Sequence, residues 1–211
     1  MRQSAAEIDH AIIDVAAGIF ATHGFAHTSV QQIADAVGYS KPGLLHRFGS
    51  KDALHRAVLN EVAETVQQII GHAVAHADRP DQLTSLLELI VRKALDRPGM
   101  IRMMLAAWQP GSEEPGVEPI QAAGYRLVDA LDHPLSSPAE RLRVVLALEL
   151  VVNAAVTQHS SLDPDLHVDR EELVPLLVSL AGHVLGVDSG DATPAPGASG
   201  ATGIGSPLAA R

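Results

Sequence analysis

Apolar residues recur at the three- and four-residue spacing of a single helix face near the start of the chain: Ile8, Ile12, Val15 or Ala16, Ile19 and Phe20. Gly24 follows and suits a helix C-terminal cap. A shorter pattern comes next. Thr28 or Ser29 offers an N-cap oxygen, Gln31 and Gln32 stand three residues on as capping-box partners, and Val30, Ile33, Ala34 and Val37 form an apolar face that ends at Gly38. This predicts a second helix of about ten residues. Ser40 then restarts the pattern, with Pro42 in the first turn, where its missing N–H is no loss, and predicts a third helix over Lys41 to Phe48.

Ser50 opens a longer pattern, with Asp52 favourable at the positive helix end and Ala53, Leu54, Ala57, Val58, Val62, Val66, Ile69 and Ile70 on one face. It predicts a linking helix that runs to about Ala77. Beyond the Asp78-Arg79-Pro80 break, further helices are expected over Gln82 to Asp96, Pro98 to Gln109, Val117 to Leu131, Pro138 to His159 and Arg170 to Leu185. No segment alternates with period two between turn signals, so the chain reads as all-α. Its expected parts are a head over 1–50, a larger helical part over 51–185 whose first segment, 51–77, is the linking helix, and a disordered Gly/Ala/Pro-rich tail over 186–211.

Composition narrows the chemistry. The 211 residues are 46% apolar, enough for a sizeable core, and without cysteine there is no disulfide, thiolate metal site or cysteine nucleophile. No apolar run approaches the ~18 residues of a membrane span, and the expectation is a soluble, cytoplasmic protein with no membrane partner. The formal charge of −10 is unevenly spread. Residues 1–60 balance five Lys/Arg against five Asp/Glu, and the remainder holds the whole deficit. Screening over ~8 Å lets a local cationic cluster act apart from distant acid, so net charge does not exclude nucleic acid.

Two short helices joined through a glycine and packed behind a third describe a helix-turn-helix, whose second helix enters a DNA major groove. Leu44 and Phe48, four apart, can face inward, which leaves Lys41, Pro42, Leu45 and His46 as the outward, reading surface. At this point the chain resembles the TetR-type bacterial transcriptional regulators. The matching stretch, Ala16 to Leu59, carries F-x-x-x-G-F at Phe20 to Phe25, T-S-x-x-x-I-A at Thr28 to Ala34, and G-x-S-K…L…F-x-S-K-x-x-L from Gly38 to Leu54. The resemblance implies that Thr28 and Lys51 anchor DNA phosphates. It also implies that Ser40, Lys41, Gly43 and His46 meet backbone or base edges, with Gln31 or Gln32 within reach of the same groove. One position departs from the family: Leu45 stands where a tyrosine is usual, which removes a phosphate-bonding hydroxyl and leaves Arg47 as its substitute.

The resemblance further implies a homodimer on double-stranded DNA, a palindromic operator, and a small-molecule effector held by the larger domain. The helices Pro138 to His159 and Arg170 to Leu185 are apolar on more than one face, a surplus that suits a four-helix interface with a second copy. Met100, Met103, Met104, Trp108 and Tyr125, with Asn153 as a polar group, are the expected lining of a largely apolar effector pocket. His72 and His76 have a metal-capable spacing without an evident third ligand, and no metal or other cofactor is expected. No nucleophile elbow, Walker loop or dinucleotide glycine fingerprint is present, and nothing argues for an enzyme. The rival reading is an all-α small-molecule-binding or interaction dimer with a vestigial helix-turn-helix.

Overall fold

The computed structural model describes residues 4–108, 115–130, 137–160 and 167–186. Among them the elements, in order, are α1 Ala5–His27, α2 Val30–Ala36, α3 Lys41–Phe48, α4 Lys51–Ala75, α5 Gln82–Asp96, α6 Pro98–Trp108, α7 Glu118–Ala130, α8 Pro138–Ser160 and α9 Arg170–Leu185, with no strand. Gln109, Leu131 and the tail 187–211 lie outside the described residues.

The helix starts follow local chemistry. Ser4 and Glu7 close a reciprocal capping box on α1, while Ser29, Ser40 and Ser50 each accept the N–H three residues on, from Gln32, Gly43 and Ala53, all at 3.1 Å. α1 does not run unbroken: Gly24 adopts φ 76° and ψ 158°, so the helix kinks where its apolar pattern ends. α2 is shorter than its pattern predicts, at 7 residues, because Ser29 caps its start and Val37 already lies outside the helix as its C-cap.

Packing does not stop at residue 50. One apolar core runs from Ile12, Ile13 and Phe20 of α1, through Ile33, Leu44, Leu54 and Val58, into Met100 and Met103 of α6 and Ile120 of α7. A second core joins α5, α6, α8 and α9 through Val91, Leu105, Val151, Val152, Val174 and Leu177. A smaller one sits between α4 and α5 around Ile69 and Leu86, and Met104 touches all three.

The seam between head and body is a close helix crossing, α1 against α6. Gly99 permits it: a Cβ there would lie 1.9 Å from the Asp14 carbonyl oxygen. The Asp14 carboxylate accepts the N–H of Met100 at 2.9 Å and of Gly99 at 3.3 Å, so a side chain of α1 caps the start of α6. Arg97, at the same corner, reaches Glu61 of α4 and donates to the His10 carbonyl at 3.0 Å, and His10 Nδ1 stands 3.0 Å from Glu61. Burial raises the Asp14 pKa, against the opposing pull of the Met100 N–H, Arg97, the Gly99 N–H and His159.

Candidate nucleic-acid interface

The turn between α2 and α3 is built from backbone bonds. Tyr39 N–H donates to the Ala34 carbonyl at 2.9 Å, and Gly38 has φ 71°, a left-handed conformation that a side chain would strain. Leu44 is buried and Phe48 packs on the same core, so α3 is seated by one face. Lys41, Pro42 and His46 are exposed, while Leu45, also expected to face outward, is half-buried. Gln31 and Gln32 are exposed on α2, and Gln31 Nε2 donates to Asp35 Oδ1 at 2.6 Å, one helical turn away. Ser40 is exposed as the α3 cap; Gly43 beneath it leaves little room, since a Cβ would meet Ser40 Oγ at 3.1 Å.

Three residues expected to anchor phosphate are engaged within the chain. Thr28 is 3% exposed and its hydroxyl donates to the Gly24 carbonyl at 2.8 Å, so it closes the α1 kink; the exposed hydroxyl at that corner belongs to Ser29. Lys51 Nζ donates to the carbonyls of Phe25 at 2.7 Å and Thr28 at 2.9 Å and lies 4.0 Å from the Phe25 ring centroid. Its charge neutralises the carbonyl end of α1, as cations do at helix C-termini. Arg47 turns away from the reading surface: Nε donates to the Asp9 carboxylate and Nη2 to the Ala5 carbonyl at 2.7 Å. That bond to Asp9 raises the already high Arg47 pKa. The Lys51 and Arg47 contacts cannot be recognised from local spacing, because their partners lie on α1 or at its end, whereas Thr28 bonds the residue one turn back. The one available signal is acid placement: Asp9 and Asp14 interrupt the first apolar helix.

The residues expected around an effector do not form one set. Met100 and Met103 are core residues shared by α1, α4 and α6, whereas Met104 lies at the meeting of the three cores. Trp108 lies against α7, where a Cβ on Gly124 would come within 2.6 Å of the indole nitrogen. Tyr125 is 68% exposed and Asn153 is exposed, its amide donating to the Glu149 carbonyl at 2.8 Å, so neither is packed in the core with the methionines. The His72 and His76 rings stack at 4.1 Å, with His72 Nε2 2.8 Å from Ser85 Oγ. Among the described residues no three His, Cys, Asp or Glu are grouped to hold a metal, and no helix is long and apolar enough to cross a membrane.

A short exposed helix, seated by one face behind a glycine turn and braced by two others, defines the class as a helix-turn-helix protein. Residues 12–58 match the family model described as bacterial regulatory proteins, tetR family. The HTH-type transcriptional regulator RutR of Escherichia coli K12 is 43% identical over 54 residues, covering 26% of this chain and 26% of its own. The HTH-type transcriptional repressor AcnR of Corynebacterium diphtheriae is 28% identical over 87 residues, 37% of this chain and 46% of its own. This chain therefore spans less than half the length of either curated relative that it matches. In overall fold it resembles a TetR-family transcriptional regulator from Bordetella parapertussis 12822, with a TM-score of 0.53 at 20% identity over 82% of this chain and 93% of that one. The likeness to the tetR family of bacterial regulatory proteins thus rests on residues 12–58, the head of this chain.

Proposed function

We propose that this protein is a dimeric, ligand-responsive DNA-binding transcriptional regulator, a repressor that leaves a palindromic operator when a small, largely apolar effector binds its body. The observation that carries this reading is the exposed face of α3, where Lys41, Pro42 and His46 stand free of the core while Leu44 holds the helix from behind. Lys41 is the permanent cation of that face, with Ser40 next to it in sequence and Ser29 exposed at the start of α2 as hydroxyl donors. The name of AcnR supports the sign of regulation by analogy, since that relative is called a repressor.

Pairing is supported by the outer side of the body. Leu142 and Leu146 on α8, and Leu176 and Leu180 on α9, are between 43% and 57% exposed although the opposite sides of both helices fill the second core. Two apolar stripes on adjacent helices suit the same stripes of a second copy, and a two-fold dimer presents two α3 helices to a symmetric site. For the effector, Met104 at the meeting of three cores is the side chain best placed to yield, because methionine re-packs at low cost.

Selection of duplexes from a random pool by the full chain tests the reading. A selected palindrome, retained with a log–log salt slope of about −0.9 for each phosphate neutralised, supports it. Lys41→Ala should reduce that slope by about one such step or shift the preferred sequence. Absence of duplex retention even at low salt would favour the rival, a dimer with a vestigial head. The inward turn of Arg47 and Lys51 is the observation that keeps that rival in view.

A further inference from the structure

Arg47 lies on the third helix but spends its fork on the first. Its Nε donates to the Asp9 carboxylate and its Nη2 to the carbonyl of Ala5, so the guanidinium bridges the start of α1 to the end of α3. The start of α1 is itself ordered, because Ser4 N–H donates to Glu7 Oε2 at 2.6 Å and Glu7 N–H to Ser4 Oγ at 3.2 Å. Arg47 is also shielded, with 26% of its side chain exposed against 41% for Asp9. A planar guanidinium that meets a carboxylate and a carbonyl together fixes direction as well as distance.

The consequence concerns the reading helix. α3 is 8 residues long and seated on the core by Leu44 and Phe48. A polar strut at its C-terminal end, across from α1, adds a second fixed point. Resting on the proposed DNA-binding role, we propose that Arg47 is a positioning residue: with Asp9 and the Ala5 carbonyl it sets the tilt of α3 and so contributes to sequence discrimination, while touching no phosphate. The first turn of α1 thereby becomes part of the reading unit. Five residues beyond Asp9 on the same helix, Asp14 caps α6, so α1 carries one carboxylate toward the DNA-facing helix and one toward the body.

The test is a double-mutant cycle of Asp9→Asn and Arg47→Gln in the full chain, read two ways. The first readout is the ratio of affinities for a selected duplex and its scrambled version, because a long-range charge effect is common to both and cancels. Each single variant should lower the ratio by a similar factor, about threefold to tenfold, and the double variant should lower it no further. The salt slope should stay unchanged, and Arg47→Lys, which keeps the charge but loses the fork, should behave like Arg47→Gln. The second readout, amide hydrogen exchange across residues 41–48 without DNA, should rise in all three single variants.

A direct phosphate contact gives the opposite pattern. Arg47→Gln alone then reduces the slope by about 0.9, Arg47→Lys retains it, and Asp9→Asn leaves the ratio and the exchange untouched. That result overturns the proposal. Should the wild-type chain select no duplex, the DNA-binding reading fails by itself, and the exchange arm still decides whether the Asp9–Arg47 strut holds α3.

Discussion

The outer side of α3 and the outer side of α8 and α9 are both surfaces that the monomer leaves unfinished, and they are unfinished in opposite ways. On α3 the exposed groups are a cation, an imidazole, a proline ring and one cap hydroxyl, mounted on a short helix with one buried leucine. On α8 and α9 they are leucines spaced four apart, on helices whose other sides already fill a core. Water solvates the first face well and the second poorly. The first therefore suits the charged, polar partner proposed for it, and the second suits the proposed second copy. Between them lies the α1–α6 seam, where caps, ion pairs and a glycine crossing leave little room for slack.

The comparison breaks most visibly at the apolar face. Leu146→Glu combined with Leu180→Glu places a carboxylate in each stripe and repeats it by symmetry, so dimerisation should weaken by at least about a hundredfold, with the monomer fold retained. Sedimentation velocity against circular dichroism separates the two effects. A variant that remains dimeric would show that these leucines are not the pairing face.

The seam comes next in size. Gly99→Ala drives a Cβ onto the Asp14 carbonyl, 1.9 Å away, and α1 and α6 must part to admit it. A loss of about 1–3 kcal/mol is expected in denaturant unfolding. Because α1 also carries the strut to α3, duplex discrimination should fall with it. Unchanged stability would mean that the crossing is looser than its geometry.

The smallest effect is a matter of pH. Burial raises the Asp14 pKa in the fold, so its contribution to stability is fully present below the unfolded pKa and is lost as pH rises through the folded one. The stability of wild type relative to Asp14→Asn should therefore improve as pH falls from neutrality into the carboxylate range. Parallel curves for the two proteins would contradict the burial of this charge.

Much of the fold could be read from residue spacing because its causes are local. Ser40, Ser50, Pro42 and the glycines at 24 and 38 act within one turn of where they stand, and the bounds of α3, α5 and α9 agree with their patterns. The exposure of Lys41, Pro42 and His46 could be read for the same reason, since Leu44 and Phe48 determine which side turns in, whereas Leu45 is half-buried. The contacts of Lys51 and Arg47 are hidden from the spacing because their partners are remote. Lys51 meets carbonyls 26 and 23 positions back, and Arg47 meets a carboxylate 38 positions back. Nothing in the spacing distinguishes a cation that seeks phosphate from one that seeks a helix end. Thr28 and Ser29 are adjacent hydroxyls of equal capping ability, and only the kink at Gly24 decides which one turns inward. Tyr125 and Asn153 were grouped with the methionines by residue type, although their exposed positions on α7 and α8 separate them from the core.

The mass of the complex between the full chain and a selected palindromic duplex, set against that of the Leu146→Glu/Leu180→Glu variant, tests most directly that the covered face positions the bare one. The account predicts two copies per duplex for the wild type, and for the variant a monomer that retains only weak, salt-sensitive binding to any sequence. A variant monomer that discriminates the palindrome as well as the wild type does would contradict it.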